Sequence, residues 1–566
     1  MSFTPLRAVP ARSLPRRPLA SGLALLALLG STAGAQIAQV ARPGSVRNPV
    51  PACPEFWVDV TAHGAVPGDG ADDTQAIQAA VDQAMAGGGG SVVFPPGVFD
   101  VGQVEIGGGL RLFGHGATLR KLPDEPEFSR TFTTTGKYRH DAATDSAPLV
   151  IEGFTFDGNR LQQGPYLASE KEHQAAVFLH AHDAQPGRLV ATVRDCRFHD
   201  GTADGVAVYT NANVSITRCT GSDLFRGLVS VGGGHSIVHL TDLNGGGAVH
   251  PAGIDFEIDG AGWGGSLAVD ATLDGLVLGG RFDLGLGPGS RVVANNVLGN
   301  GAQFVVYARD SRVSLSNSRF TVGPSGPANR LIYPNDVSIT GCTFLATEPD
   351  AAEADREFRI LDVAWEVTGS ANSGPQNLRI QDCRFLTDGT LEPTDTVYGL
   401  YSGATLTAAQ NRLEVRGVQI GGAVDRAFWI QQGGIVHFSE SSLDGATALG
   451  LHSSPGRDLD VTLDALEFGP SVQDLLQFTG GPNADVIRHR GITLDESLDN
   501  LKSLFGLGTT DFRGSRTILG AGPPAGAPGI LGDVWRLKAP IAGAAYEWVC
   551  TASGELTATW TVKTIL

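Results

Sequence analysis

The amino-acid sequence predicts an all-β fold. It is a right-handed parallel β-helix, a single-stranded solenoid with a capping helix at its N-terminal end and a small β module at its C-terminal end. Three observations predict it. Short alternating apolar and polar segments recur, among them LVIEGFTFDGN, ATVRDCRFHDG, VSITRCTGSD, VSITGCTFLAT and LRIQDCRFLTDG, each closed by Gly, Asp, Asn or Thr turns. Several neighbours are spaced by roughly 20 to 26 residues, the length of one strand-rich coil. Helical periodicity is nearly absent between them, so each coil must bury its inward apolar row against the coils above and below. A β-propeller would need about 40 residues and four strands per blade, longer than this pattern.

Taken in chain order, residues 1–35 stand apart from the fold. Arg7, Arg12, Arg16 and Arg17 precede the apolar run LASGLALLALLG, and STAGA gives a small-residue end near Ala35. That is the pattern of a secretory signal peptide. The apolar run is shorter than the roughly 20 residues of a membrane span, and no later stretch qualifies. The expectation is a secreted, extracellular protein with no membrane span, cleaved near Ala35 and continuing through a linker over residues 36–55.

The next element is a helix at DDTQAIQAAVDQAM. Asp72 or Asp73 can cap it, and Ile77, Ala80, Val81 and Ala84 recur on one face. A solenoid needs its open end covered, and this amphipathic segment sits where a cap belongs. The β-helix is expected over residues 56–504. Within it Cys196, Cys219, Cys342 and Cys383 share one context, the end of an alternating segment, as in SITRCTG and SITGCTF. They read as buried free thiols at a recurring structural position. The Pro/Gly run AGPPAGAPG lies in a linker expected over residues 505–529. Residues 530–566 form the small β module, with Trp535, Trp548 and Trp560 close together.

Charge limits the partners. The chain has a formal net charge of -18, and removing the leader takes away four arginines and no acids, leaving about -22. Such a surface repels phosphates and anionic lipids, so no nucleic-acid partner is expected. Lysine is scarce, and any basic groove would have to come from local arginines.

The segment FWVDVTAHGAVPGDGADDTQAIQAAVDQAMAGGGGSVVFPPGVFDVG, residues 56–102, resembles the N-terminal signature of the pectate-lyase-like superfamily of β-helix proteins. LVIEGFTFDGN resembles its next hallmark. LFRGLVSVGGGHSIVHL followed by HPAGIDFEIDG is similar to a bacterial subgroup with an arginine on one rung and an A-G-I-D-I-E sequence on the next. The later coils match only in rhythm. The resemblance implies the solenoid fold and leaves lyase, hydrolase, epimerase and noncatalytic roles open. The C-terminal segment is similar to a tail found on phage-related and bacterial β-helix proteins, which implies a monomer or a homotrimer.

HPAGIDFEIDG carries the chemistry. On a strand Ile254, Phe256 and Ile258 share one face while Asp255, Glu257 and Asp259 share the other. Aligning glycines puts Asp204-Gly205, Arg226-Gly227 and Ala252-Gly253 on successive coils, so Asp204, Arg226, Asp255 and Glu257 converge on one outer patch. Two carboxylates so placed fit the acid and base of a glycoside hydrolase, and residues i and i+2 of a strand lie about 6.6 Å apart at the backbone. Arg226 would lower the pKa of one and leave the other raised by like-charge repulsion. His235 and His250 are candidates to bind a sugar hydroxyl, and Trp263 to stack on a sugar ring. No metal or other cofactor is called for by this reading.

The same patch fits a lyase, with Asp204, Asp255 and Glu257 holding Ca²⁺ against a uronate carboxylate and Arg226 as base. TADGVAV is similar to the N-T-D-G rung of polygalacturonases, but Phe225-Arg226 stand where that family has an Asp pair, so a different arrangement is expected. The leading expectation is a polysaccharide-cleaving hydrolase. The alternatives are a calcium-assisted lyase and a noncatalytic glycan-binding, tailspike-like or adhesin-like protein.

Overall fold

The computed structural model describes residues 57–138, 147–164, 173–181, 188–245, 252–257, 268–300, 304–322, 328–347, 357–365, 376–388, 396–403, 411–431, 434–452, 459–469, 471–472, 474–479, 486–495, 511–520, 524, 534–537, 545–552 and 559–565. The expected signal peptide and the whole of the expected linker after it, residues 36–55, lie outside these residues. The described chain winds as a right-handed parallel β-helix, and each coil contributes to three parallel ladders. The first ladder runs through Leu189–Arg194, Ala212–Thr217 and Ser236–Thr241, with Val193 beside Ile216 and Ile216 beside Leu240. The second runs through Arg197–His199, Thr220–Ser222 and Asn244–Gly245. The third runs through Val177–His180, Val206–Tyr209, Val229–Gly232, Ala252–Glu257 and Arg281–Gly285, and continues to Asp474–Thr479.

The recurring SIT-x-C motif has a local cause. Between the first and second ladders the chain turns on one residue in the left-handed region: Asp195 (φ 56°), Arg218 (φ 52°), Asp242 (φ 54°), Gly341 (φ 64°) and Asp382 (φ 53°). Asp tolerates that conformation and glycine adopts it without a Cβ clash. The next residue then points inward, which is where Cys196, Cys219, Cys342 and Cys383 lie, all buried and unbridged. Cys550 is also buried and free, and Cys53 lies outside the described residues.

Inward residues stack in register from coil to coil. Phe156 lies on Phe198 with ring centroids 5.0 Å apart, and Phe282 on Phe304 at 5.8 Å, both nearly parallel. Aromatic pairs at such distances add about 0.5–1.5 kcal/mol beyond the area they bury. The helix Thr74–Ala86 closes one end of this core with Ile77, Ala80, Val81 and Ala84 buried. Asp72 does the capping, accepting from the Thr74 N–H at 2.9 Å, while Asp73 accepts from the Val66 N–H at 2.8 Å instead. No helix among the described residues is long and apolar enough to cross a membrane.

The C-terminal part departs from the expected boundary. Within the supposed linker of residues 505–529, Asp511–Gly520 is a strand in parallel register with Val486–Asp495. Val534–Leu537 adds to it in parallel. Only then does the direction reverse, as Ala545–Ala552 and Thr559–Ile565 pair antiparallel with Trp535 opposite Trp548. The alternation in DFRGSRTILG is the signal that the Pro/Gly run beside it obscured. The module is therefore an extension of the solenoid edge rather than a unit beyond a linker.

Candidate active site

The third ladder builds the candidate site. Val229 stands beside Ile254 and Val231 beside Phe256, all inward and buried, so the alternate positions Ser230, Asp255, Gly232 and Glu257 face outward. Asp255 and Glu257 are thus exported by the burial of Ile254 and Phe256. Ile258 and Asp259 lie outside the described residues. Asp204 and Arg226 precede the two preceding strands of the same ladder, whose register pairs Val206 with Val229.

Arg226 gathers the acids. Its Nη2 lies 2.8 Å from Glu257 Oε1 and 3.4 Å from Asp255 Oδ2, and its Nε lies 3.7 Å from Asp204 Oδ2. Asp204 also accepts from the Gly227 backbone N–H at 3.0 Å, so it fixes the loop that carries Arg226. Asp204 is almost fully buried, Asp255 is mostly buried, and the Glu257 side chain is 48% exposed. One guanidinium therefore serves a structural acid, a sheltered acid and an open acid.

Electrostatics marks out the sheltered acid. Burial, then the charges of Glu257, Asp283 and Asp204, push the Asp255 carboxyl up to about 8, against the opposing pull of Arg226. Asp283 occupies the position beside Asp255 on the next coil and is tied to Arg281 at 2.9 Å. Arg226 itself is stripped of water by burial, yet its carboxylate neighbours raise its pKa overall. The surrounding acids favour its charged form, which suits an ion-pairing role better than the base role that the lyase expectation assigned to it.

Tyr209 completes the patch and was not singled out from sequence. It stands beside Gly232, which stands beside Glu257. The absence of a side chain at Gly232 lets the phenol lie across that coil. A Cβ built there would come within 2.7 Å of Tyr209 Cε1 and 2.8 Å of Cζ. Burial, with the charges of Asp204 and Glu257, raises the phenol to about 12. The signals that could have found it are its outward position in VAVY and the glycine at the matching place in VSVG.

Of the three binding candidates, His235 is placed and is not brought to this cluster. His235 lies past the end of Val229–Gly232, exposed, with φ 60° and its N–H donating to the Ala268 carbonyl at 2.7 Å. Its nearness to Arg226 in sequence is undone by the strand between them. His250 and Trp263 lie outside the described residues.

The acids do not fit a Ca²⁺ site as arranged. Asp204, Asp255 and Glu257 converge on the Arg226 guanidinium, so a divalent cation would have to displace a fixed cation from its own partners. Among the described residues a different group, Asp157, His199 and Asp200 on the second ladder's side, brings three candidate ligand atoms within 4.8 Å of one another. There the His199 Nδ1 is already engaged with Asp200 at 2.8 Å.

Comparison with known proteins follows from this geometry. Residues 57–165 match the family model described as rhamnogalacturonase A/epimerase, pectate lyase-like. A mannuronan C5-epimerase of Azotobacter vinelandii is 38% identical over 104 residues, covering 16% of this chain and 5% of that one. The chain thus spans about a twentieth of the length of the curated relative it matches. Among solved structures, the A-module of another A. vinelandii mannuronan C-5 epimerase is 14% identical with a TM-score of 0.38, over 76% of this chain and all of that one. A surface adhesin of Streptococcus pneumoniae is 14% identical with a TM-score of 0.34, over 76% and 93%. The tailspike of Escherichia coli bacteriophage HK620, solved with a pentasaccharide, is 12% identical with a TM-score of 0.40, over 74% and 78%.

Proposed function

We propose that this pectate-lyase-like β-helix protein is a secreted carbohydrate-active enzyme that cleaves a polysaccharide lying along the outer face of its third ladder. One observation carries the reading: Asp255 and Glu257, two positions apart on one strand, share the Nη2 of Arg226 yet have opposite exposure. Glycoside cleavage needs one carboxyl that holds a proton and one that does not. Asp255, pushed up to about 8, keeps its proton at neutral pH and donates it to the leaving glycosidic oxygen. Glu257, open to the substrate and paired with Arg226, activates water or attacks the sugar carbon. Arg226 holds both groups and stabilises the carboxylate, while Asp204 positions Arg226.

A second reading has its own support. The Tyr209 phenol reaches the same patch across Gly232. In this reading Glu257 would take the proton next to a uronate carboxylate and Tyr209 would give one to the opposite face or to the leaving oxygen, without the cation that the acids do not accommodate. This chemistry gives an unsaturated product or an inverted stereocentre in place of simple hydrolysis.

The test is incubation of the purified protein with a polysaccharide panel, with and without chelator. It reads new reducing ends, near-ultraviolet absorbance and, by NMR, inverted sugar centres. Reducing ends alone, lost in Asp255→Asn and Glu257→Gln, support hydrolysis. Absorbing or inverted products that require Tyr209 support the second reading. Binding of glycans without turnover by any member of the panel would remove both.

A further inference from the structure

Four coils before Asp255, a second cation sits on the same outer face, outside the acid cluster. Arg130 lies two residues before the Phe132–Thr133 strand, which pairs with Val177–His180, and the ladder then runs through Val206–Tyr209 and Val229–Gly232 to Ala252–Glu257. At roughly 4.8 Å per strand this is about 19 Å along the solenoid axis from Asp255. The guanidinium is half-buried, with its Cζ 3.7 Å above the Phe178 ring. Beneath it lies a small apolar platform separate from the main core, formed by Ala175, Phe178 and Ala207 with Tyr209 packed on it.

Most other arginines of this ladder have a polar partner: Arg226, Arg281, Arg330 and Arg359 each meet a carboxylate, and Arg426 donates to the Tyr398 hydroxyl at 2.7 Å. Arg130 meets none among the described residues, and its buried Nε has no hydrogen-bond partner. The chain has 59 acidic and 41 basic residues, so the lack of a counter-charge to Arg130 among the described residues is not for want of carboxylates. Partial burial of an uncompensated cation costs stability, and an incoming anion would offset that cost. Beside it Phe128 is 56% exposed, an aromatic surface suited to the apolar face of a sugar ring.

We propose that Arg130 and Phe128 form a binding subsite for a carboxylate-bearing sugar unit, so that the polysaccharide laid along the third ladder is a polyuronate. The inference rests on the reading of the acid cluster as the reacting centre, because that cluster supplies the rest of the track. Stacking on Phe178 orients the planar fork of Arg130, which matches a carboxylate in two-point contact. The acidic remainder of the surface repels the same polymer, so attachment is local and sensitive to salt.

Calorimetric titration tests this with size-defined polymannuronate, polyguluronate and polygalacturonate oligosaccharides and their carboxyl-reduced forms. Wild type, Arg130→Gln, Arg130→Lys and Asp255→Asn are compared after confirming that each is fully folded at the titration temperature. Wild type is expected to bind at least one uronate series and not its reduced form. Arg130→Gln is expected to weaken that binding by about tenfold or more, the usual worth of a charge-assisted contact, and Arg130→Lys by less. Equal binding of native and reduced oligosaccharides, unchanged affinity in Arg130→Gln, or no binding of any uronate series overturns the inference. Asp255→Asn separates the two claims. Binding kept with turnover lost leaves the acid cluster standing whatever Arg130 does, whereas full turnover removes the cluster's role and leaves the Arg130 result to be judged by itself.

Discussion

Tyr209 lies across Gly232, and a methyl group at residue 232 would come within 2.7 Å of the ring. The backbone of Val229–Gly232 is held on both sides by parallel partners, so the ring must move rather than the strand. Gly232→Ala is therefore expected to swing the phenol off the acid patch while leaving the solenoid folded. Where the product is unsaturated or inverted, the variant should lose most of its activity, about as much as Tyr209→Phe, whereas simple hydrolysis by Asp255 and Glu257 should largely survive. Ultraviolet titration should show the phenol of residue 209, now raised to about 12, returning toward its ordinary range. A Gly232→Ala protein with wild-type turnover would separate Tyr209 from the chemistry.

Arg226 joins three acids at once, with Asp204 and Glu257 as its counter-charges and the Asp255 carboxyl held neutral beside them. Replacing it by glutamine leaves the Asp204 and Glu257 charges with no cation between them and removes the pull that opposes the rise of the Asp255 carboxyl. Removal of one partner from a buried ion network costs about 3–5 kcal/mol, well above a surface pair. Because a solenoid's coils depend mainly on their neighbours, the loss is expected as local opening around residues 204–257. Hydrogen exchange should show faster exchange in these coils and little change near the helix Thr74–Ala86. Uniform protection across the chain would contradict the network's role.

The Asp255 carboxyl gives a pH dependence of defined sign. Its folded-state pKa of about 8 lies above the ordinary 3.8, so the native state keeps a proton that the unfolded chain has released. Stability contributed by this group is therefore complete below about pH 4, falls as pH rises, and is fully lost above about pH 8. Asp255→Asn should match wild type in thermal midpoint near pH 4 and exceed it increasingly toward pH 8. Activity that relies on Asp255 as proton donor should decline through the same upper limit. Midpoints measured across this range that stay parallel for the two proteins would show that the carboxyl is not held neutral.

Much of this was legible in sequence because the period of a strand is short and its burial is strict. Ile254 and Phe256 between Asp255 and Glu257 determine which face each takes, and the glycines beside Asp204, Arg226 and Ala252 align the coils. Relationships that depend on two coils at once were harder to read. Tyr209 reaches the patch only because Gly232 stands beside it, and Asp283 meets Asp255 across an intervening stretch that hides the register. Arg130 depends on Phe178, far away in sequence but adjacent in the ladder. His235 erred in the other direction, since closeness along the chain carried it past the end of a strand and off the site.

The C-terminal edge yields a test of where the solenoid ends. Asp511–Gly520 covers Val486–Asp495 in parallel register, and the antiparallel pair Ala545–Ala552 and Thr559–Ile565 follows on from Val534–Leu537. A chain cut after residue 504 would bare the ladder groups of Val486–Asp495, an open edge prone to pairing with another copy. A chain cut after residue 529 keeps that edge covered by Asp511–Gly520 and removes only the closing strands. Light scattering is therefore expected to show aggregation for the shorter protein, and a smaller increase in mass per particle for the longer one. If residues 505–529 were only a linker, the two truncations would behave alike, because both would end beyond the last strand of the ladder.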